Sequence, residues 1–296
     1  MKKWKTAAVL LGMGMLMTAC SQGEAPENEQ GQAAQDIKIE VQEDTGAASE
    51  ENGAQEESRQ EETSGESTRR ETGGNGQETD GNEQEIQKDE IVVLDPGHSS
   101  VVAGGTEPLG PGSSEQKSAD TSGTSGVSTG LPEYELTLRV SQKLKTELEN
   151  RGYTVILTRD TNNVPVSCVQ RAETAKEAGA DAFVRIHANG SEDSSVQGAM
   201  TICITPDNPF YPGLYAQSRA LSDSIITELC AATGCENDSV WETDSMSGNN
   251  WSKVPATIVE MGYMTNPEED ELMATDEYQN KLTQGIANGI DAYFGY

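Results

Sequence analysis

The chain has 296 residues, of which 50 are acidic and 20 are basic, and its net charge at neutral pH is −30. This excess of negative charge argues against a nucleic-acid partner, because nucleic acids select basic surfaces. It also argues against simple electrostatic capture by an anionic polymer. The length suffices for one or two domains.

The first 20 residues have the pattern of a secretory signal. "MKKWKTAAVLLGMGMLMTAC" begins with basic residues and continues with an apolar run from Ala7 to Met17. That run is shorter than the roughly 20 residues needed to span a bilayer. Its last four residues, "MTAC", are typical of a lipoprotein signal, in which Cys20 is acylated and anchors the chain to a membrane. An ordinary cleaved signal peptide is the alternative.

Residues 21–90 are predicted to form a disordered acidic linker. They contain 21 acidic residues, 5 basic residues and no aromatic residue. Such a segment cannot bury enough apolar surface to offset the entropy lost on folding. Behind an acylated Cys20 the linker would tether a folded domain to a membrane. Residues 91–296 are then the folded part, and their length is typical of one domain.

In residues 91–296, short apolar runs rich in Val and Ile alternate with helical patterns. The predicted strands cover residues 90–95, 153–159, 181–189, 199–205 and 256–262. The predicted helices cover residues 133–152, 166–180, 213–234 and 277–296. Because strands alternate with helices and are apolar on both faces, we expect a single α/β domain whose mainly parallel central sheet is flanked by helices. Residues 110–130 are rich in Gly, Ser and Thr, and we expect them to form a long mobile surface loop.

The chain has only two histidines, and both lie at the carboxyl ends of predicted strands. His98 follows the first strand in "IVVLDPGH", and His187 is near the end of the third, in "DAFVRIHAN". In open parallel sheets, binding sites collect beyond the carboxyl ends of the strands. This placement favours a metal site over two unrelated structural or surface histidines.

A catalytic zinc needs a third protein ligand and leaves its fourth position to water, and His₂Glu is a known set of this kind. The helix that begins near Glu133 offers Glu133 and Glu135 as candidates, and the HExxH pattern is absent. The four cysteines beyond Cys20 form no CxxC pair, which makes a structural zinc cluster improbable. Only Cys230 and Cys235 are near neighbours, and whether they form a disulfide is open.

Four ordered blocks of residues 91–296 resemble one known family. They are "IVVLDPGH", then "EYELTL" followed by "KLKTELENRGYTVILTR", then "VQRAETAKEAGADAFVRIHAN", and finally "VPATIVEMGYMTNPEED". The domain is similar over its whole length to the zinc-dependent N-acetylmuramoyl-L-alanine amidases of the type-3 amidase family, which are bacterial cell-wall hydrolases. It departs from the family in a longer segment between the first histidine and the glutamate, and in Arg185, where the family commonly has Ser.

The resemblance implies one Zn²⁺ held by His98, Glu133 and His187, with Glu260 as the catalytic carboxylate. Glu135 remains an alternative ligand. The implied reaction is hydrolysis of the amide between N-acetylmuramic acid and L-alanine in peptidoglycan. We expect a monomer that acts outside the cytoplasm, lipid-anchored to the outer face of the cell membrane or otherwise secreted to the wall. The alternatives are a non-catalytic cell-wall-binding lipoprotein and a zinc peptidase that cleaves stem peptides.

Predictions can also be made for several other polar and aromatic residues. Asp95 either orients His98 through a hydrogen bond or caps the Pro-Gly turn that follows it. Arg159 and Arg171 are expected to form structural ion pairs rather than to contact substrate. Asn189 and Asn266 are expected to fix turns through hydrogen bonds to nearby backbone. Trp241 and Trp251 are expected to pack against the domain rather than to stack on a sugar.

Overall fold

A computed structural model of the protein describes residues 87–296. The predicted signal with Cys20 and residues 21–86 of the predicted linker lie outside the described residues. In chain order the strands are β1 (Ile91–Pro96), β2 (Thr106–Pro108), β3 (Gln116–Ser118), β4 (Thr154–Leu157), β5 (Ala182–Asn189), β6 (Ala199–Cys203), β7 (Asn237–Glu242) and β8 (Ala256–Tyr263). The helices are α1 (Glu133–Asn150), α2 (Cys168–Glu177), α3 (Tyr215–Thr233), α4 (Ser247–Trp251), α5 (Pro267–Met273) and α6 (Asp276–Phe294).

Six strands form the central sheet in the order β4-β1-β5-β8-β6-β7. Every neighbouring pair is parallel except β6 and β8, which are antiparallel. The prediction of a single α/β domain with a mainly parallel sheet is therefore confirmed. None of the helices formed by residues 87–296 is both long and apolar enough to cross a bilayer.

Alternation along β1 explains why both faces of the sheet are covered. Val92 and Leu94 pack in the larger core, which the apolar faces of α1, α3 and α6 complete. Val93 points to the opposite face, where it packs with Phe183 and with Ala172 of α2. Burying a Val, Leu or Phe side chain contributes roughly 1.5–3 kcal/mol, so these two cores hold the helices on the sheet.

Helices α3 and α6 pack unusually closely because α6 has glycines on the face that meets α3. A Cβ atom at Gly289 would lie 2.4 Å from Cα of Ile225, and one at Gly285 would lie 2.7 Å from Cα of Leu229. Neither distance is possible for two carbon atoms that are not bonded. The spacing of four residues therefore places two contact points on one face of α6.

Five of these strands and helices were not expected from the sequence: β2, β3, β7, α4 and α5. The segment 110–130 contains β3, which pairs with β2 as an antiparallel hairpin, so the prediction of a loop without regular structure is wrong for Gln116–Ser118. The residues between the third predicted helix and the last predicted strand, to which no strand or helix was assigned, form β7 and α4. The polar strand β7 lacks an apolar pattern because it lies at the edge of the sheet, where pairing with β6 determines its conformation.

The described chain begins in contact with the domain. Lys88 Nζ lies 2.6 Å from Asp291 Oδ1 and 4.0 Å from the ring centroids of both Tyr153 and Tyr296. These contacts combine an ion pair with two cation–π interactions. The packed part of the chain thus includes Lys88, just before the predicted boundary at residue 91.

Candidate metal centre

The two histidines lie at the carboxyl ends of neighbouring parallel strands. His98 follows β1 by two residues, and His187 is near the end of β5, which pairs with β1. On the other side of β5, the register with β8 places Glu260 directly opposite His187. Parallel pairing therefore brings three functional side chains to one edge of the sheet.

The Pro-Gly-His turn fits closely around the second histidine. A Cβ atom at Gly97 would lie 2.4 Å from Cε1 of His187, so this position accommodates only glycine. His98 adopts φ 59°, in the left-handed region that non-glycine residues rarely occupy. Strain of this kind costs of order 1–3 kcal/mol and is concentrated at functional sites.

Glu133 is the first residue of α1 and contacts both histidines. Pro132 before it is extended, with φ −67° and ψ 142°, and an acidic side chain at a helix N-terminus is favoured by the helix dipole. Glu133 Oε1 lies 3.2 Å from His98 Nε2 and 3.1 Å from His187 Nδ1, and it accepts a hydrogen bond of 3.1 Å from the Ala188 backbone N–H.

This group of side chains fits a zinc ion. One possible ligand atom from each of His98, Glu133 and His187 lies within 4.8 Å of the other two. Tetrahedral zinc with nitrogen and oxygen ligands at about 2.1 Å separates those ligands by about 3.4 Å, close to the contacts above. Two imidazoles and one carboxylate also form a known catalytic zinc set. Nε2 of His187, the ring nitrogen that does not contact Glu133, is buried without a hydrogen-bond partner among the described residues.

In this group of side chains, the charges of His98 and Glu133 each shift the pKa values of the other two residues. Burial opposes the charged form of His98, but the Glu133 carboxylate beside it raises the pKa of His98 to about 9. Burial and the nearby positive charge of His98 lower the pKa of His187 to about 4, although Glu133 acts in the opposite direction. Burial opposes ionisation of Glu133 too, yet the two histidines hold its pKa below the usual range. Without a metal, His98 and Glu133 form an ion pair beside a neutral His187.

Glu260 has one carboxyl oxygen without a hydrogen-bond partner among residues 87–296. Its Oε2 is buried, and no described residue satisfies it. Burial and the negative charge of Glu133 raise the pKa of Glu260 to about 8. An unsatisfied buried polar atom costs about 1–3 kcal/mol, which makes this carboxyl group a candidate for contact with a bound molecule.

Glu135, the alternative third ligand, lies apart from the two histidines. It forms an ion pair with Arg139 one turn further along α1. Positions two residues apart on a helix do not face the same side. The structure therefore brings Glu133, and not Glu135, into contact with His98 and His187.

Asp95 has neither of the two roles expected for it. Its carboxylate accepts hydrogen bonds from Arg171 Nη1 at 2.7 Å, from Arg185 Nε at 2.9 Å and from Thr158 Oγ1 at 2.5 Å. Burial opposes its ionisation, but the two arginines hold its pKa well below the usual range. Since the β1 alternation points Asp95 toward α2, its side chain reaches the arginines and not the ring of His98.

Arg171 connects this buried carboxylate to the turn that carries His98, and Arg159 contacts the same turn. Arg171 donates to the carbonyl oxygens of Pro96 at 2.7 Å and His98 at 3.0 Å. Its predicted structural ion pair is confirmed. Arg159 instead donates to the carbonyl oxygens of Pro96 and Gly97, both at 2.9 Å, so its expected ion pair is replaced by hydrogen bonds to backbone. Together these contacts hold the turn without touching the imidazole rings.

The long segment before Glu133 supplies contacts that sequence reasoning missed. The Thr121 carbonyl oxygen lies 2.8 Å from His98 Nδ1, and the Thr124 backbone N–H donates to Glu133 Oε2 at 2.9 Å. Metal-binding imidazoles and carboxylates usually require such partners. Backbone groups make these contacts, so no residue type in the sequence could signal them.

The remaining predicted residues have structural contacts. Asn189 Oδ1 accepts from Gly190 N at 2.8 Å, and Asn266 Oδ1 accepts from Glu268 N at 3.0 Å and caps α5, so both turn predictions are confirmed. Trp251 packs in the smaller core and donates to the Pro108 carbonyl at 2.8 Å, and Trp241 lies in β7. The four cysteines within residues 87–296 are free, with Sγ of Cys230 and Cys235 3.2 Å apart.

An α/β domain with a His₂Glu donor set at the carboxyl edge of its sheet has the features of a metal-dependent hydrolase. A family profile described as N-acetylmuramoyl-L-alanine amidase matches residues 92–292, and the chain belongs to this family.

Two curated relatives and one solved structure illustrate the similarity. The N-acetylmuramoyl-L-alanine amidase LytC of Bacillus subtilis (strain 168) is 29% identical over 195 residues, which span 65% of this chain but only 36% of LytC. The N-acetylmuramoyl-L-alanine amidase Rv3717 of Mycobacterium tuberculosis is 29% identical over 209 residues, spanning 69% of this chain and 86% of that protein. The crystal structure of the apo form of the amidase Ami1 from Mycobacterium abscessus matches with a TM-score of 0.64 and 28% identity, covering 70% of this chain and 99% of that one.

Proposed function

We propose that the protein hydrolyses the amide bond between N-acetylmuramic acid and L-alanine in peptidoglycan. In this proposal His98, Glu133 and His187 hold one Zn²⁺, and Glu260 is the general base and acid. The observation that carries it is the convergence of three ligand-type side chains within 4.8 Å, beside an unpartnered carboxyl group on the next strand. Membership of the amidase family supports the choice of bond.

Amides hydrolyse slowly because their carbonyl is a weak electrophile and an amine is a poor leaving group. Zinc, when bound, polarises a carbonyl oxygen and increases the acidity of water. Glu133 and the two imidazoles would supply three ligands of such an ion, and water or substrate would supply the fourth. The turn contacts of Arg159 and Arg171 hold His98 in its left-handed conformation, so little rearrangement is needed on binding.

Glu260 is suited to moving a proton twice in the reaction. As a carboxylate it accepts the proton of the attacking water, and as the resulting acid it donates that proton to the departing nitrogen. A catalytic group works best when its pKa is near the working pH, and the pKa of Glu260 is raised to about 8 by burial and by Glu133. A nearby divalent cation would lower that value and favour the carboxylate needed for the first step.

The direct test compares Glu260→Gln with the parent protein on purified peptidoglycan. Zinc content measured by elemental analysis should stay at about one per chain, while release of free N-terminal alanine should fall by at least 10²-fold, the usual scale of general acid–base catalysis. Glu271→Gln, an exposed glutamate on α5, is the matched control and should behave like the parent. Normal turnover by Glu260→Gln would show that the role is wrongly assigned.

Mass analysis of the same digest separates the amidase from its competitors. N-acetylmuramic acid whose lactyl carboxyl group is free of peptide, together with peptides that begin at alanine, supports the amidase. Intact muramoyl–alanine bonds with shortened peptides would identify a peptidase. Binding to peptidoglycan with no cleavage product at all would identify a non-catalytic wall-binding protein.

We further propose that Cys20 carries lipid and that the predicted linker, residues 21–90, acts as a tether up to the packed Lys88. One relative is described as the probable cell wall amidase LytH of Staphylococcus aureus, which is 28% identical over 203 residues, consistent with action outside the cytoplasm. The described chain enters the domain at the amino end of β1, whereas the metal centre lies at the carboxyl end. A tether attached there would leave the centre free to face the wall. Mass spectrometry of the mature N-terminus tests the lipid: an unmodified residue after cleavage contradicts it.

A further inference from the structure

We propose that Asp270 is a positioning residue for the metal ligand Glu133. It acts through residues 124–132, which we name the brace turn. The inference rests on the proposed zinc-binding role of Glu133 and adds a residue from a distant part of the chain to that site.

Thr124, the first residue of the brace turn, forms two hydrogen bonds with Glu133, which directly follows the turn. The Thr124 backbone N–H donates to Glu133 Oε2 at 2.9 Å, and the Glu133 backbone N–H donates to the Thr124 carbonyl oxygen at 3.0 Å. Within the turn, Ser125 pairs with Pro132 through an isolated bridge. The conformation of the turn therefore fixes one carboxylate oxygen of Glu133 and leaves the other, Oε1, facing both histidines.

Asp270 fixes the opposite side of the brace turn. Its Oδ2 accepts hydrogen bonds from the backbone N–H groups of Ser128 at 2.7 Å and Thr129 at 2.8 Å, and its Oδ1 accepts from Thr129 Oγ1 at 2.6 Å. The side chain is only 1% exposed. The carboxylate also packs so closely on the turn that a Cβ atom at Gly126 would lie 2.0 Å from Oδ1. Hydrogen bonds to an ionised acceptor are about twice as strong as neutral ones, so this is a firm attachment.

The attachment connects the ligand to the strand that carries Glu260. Asp270 is in α5, which begins four residues after the end of β8 and is capped by Asn266. The Val127 backbone N–H of the brace turn also donates to the carbonyl oxygen of Met264 at 2.9 Å. The turn that orients the metal ligand and the strand that delivers the proposed base are thereby held in one unit.

If Asp270 had a purely structural role, replacing it would lower only the stability of the fold. If Asp270 positions Glu133, replacing it also weakens metal binding by the protein that remains folded. Residues that orient metal ligands typically contribute about 10–100-fold to metal affinity. Asp270→Ala removes both carboxylate oxygens and with them all three hydrogen bonds to the brace turn. The glutamate ligand then loses its fixed direction while all three ligands remain present.

The test uses the full-length chain, stripped of metal with a chelator and titrated with Zn²⁺ against a chromophoric competitor. Asp270→Ala should bind Zn²⁺ about 10–100-fold more weakly than the parent at a temperature where circular dichroism shows both to be folded. The visible spectrum of the Co²⁺-loaded protein should also change, because it reports ligand geometry. Glu271→Gln, the exposed neighbour in α5, is the control and should match the parent in both measurements.

Thr129→Val provides a second, milder variant in case Asp270→Ala does not fold. It removes the hydroxyl that donates to Oδ1 and accepts from the Leu131 backbone N–H at 3.1 Å. Both backbone hydrogen bonds to Asp270 remain, so a several-fold loss of Zn²⁺ affinity is expected. Parent-like Zn²⁺ affinity and Co²⁺ spectrum in folded Asp270→Ala, or in Thr129→Val if the first variant is unfolded, overturn the inference alone. Failure of the parent itself to bind Zn²⁺ overturns the proposed function and this inference together.

Discussion

Replacing Glu260 with Gln should change how the stability of the metal-free protein depends on pH. The pKa of Glu260 in the folded protein is raised to about 8, from 4.5, by burial and by the charge of Glu133. Between these two values the unfolded chain has released this proton and the folded protein still holds it. Rising pH therefore favours the unfolded state, and the stability associated with this group is present below pH 4.5 and lost as the pH rises through 8.

The size of the effect follows from the same two pKa values. Each pH unit between them costs 1.36 kcal/mol, so raising the pH from 5 to 7 should remove about 2–3 kcal/mol of folding free energy through Glu260. Glutamine cannot ionise and removes this loss. Its amide carries a separate cost in the buried site, but that cost is the same at both pH values and cancels from the comparison.

Urea denaturation in the presence of a chelator measures the effect. The free energy of unfolding is obtained for the parent and for Glu260→Gln at pH 5 and at pH 7, and the variant should gain about 2–3 kcal/mol relative to the parent at the higher pH. Glu271→Gln, an exposed substitution, should show the parent's pH dependence. Identical pH dependence in the parent and in Glu260→Gln would show that Glu260 has an ordinary pKa and refute the reasoning.

Three further predictions concern the centre and its support. Zn²⁺ binding at pH 7 should release about one proton from His98, whose pKa is raised to about 9 by Glu133 against the effect of burial, because a metal ligand must be neutral; calorimetric enthalpies that do not vary with buffer would contradict this. Asp95→Asn leaves Arg171 and Arg185 without their buried partner and should cost about 3–5 kcal/mol in urea denaturation; a loss below 1 kcal/mol would argue against that network. Gly289→Ala should lower stability by about 1–3 kcal/mol by forcing α6 from α3, and an unchanged melting temperature would disprove such tight packing.

Much of the architecture was predictable because its signals are local. Five strands of the central sheet are short apolar runs, and the helices between them carry an apolar stripe, so fold class followed from periodicity. The two histidines could be assigned to one edge because parallel strands end together. The choice between Glu133 and Glu135 required the family resemblance, since spacing along a helix allowed either, and the contacts with both histidines agree with Glu133.

The errors have a common cause in contacts between distant residues. Asp95 precedes the Pro-Gly turn, so a local role was the natural expectation, but its partners are on α2 and β5. The hairpin formed by β2 and β3 has no apolar alternation to reveal it. Strand β7 is likewise polar and depends on its neighbour for its conformation.

The amino-acid sequence by itself determined the order of strands and helices, the scarcity of histidine and the placement of both histidines after buried strands. These properties depend on side-chain type and on spacing along the chain. Only the tertiary structure decided that a backbone turn orients Glu133, that Asp270 holds this turn, and that Glu260 has a raised pKa. Those properties depend on burial and on contacts between residues far apart in the chain, and the free energy of a charge or hydrogen bond is set by its surroundings in space.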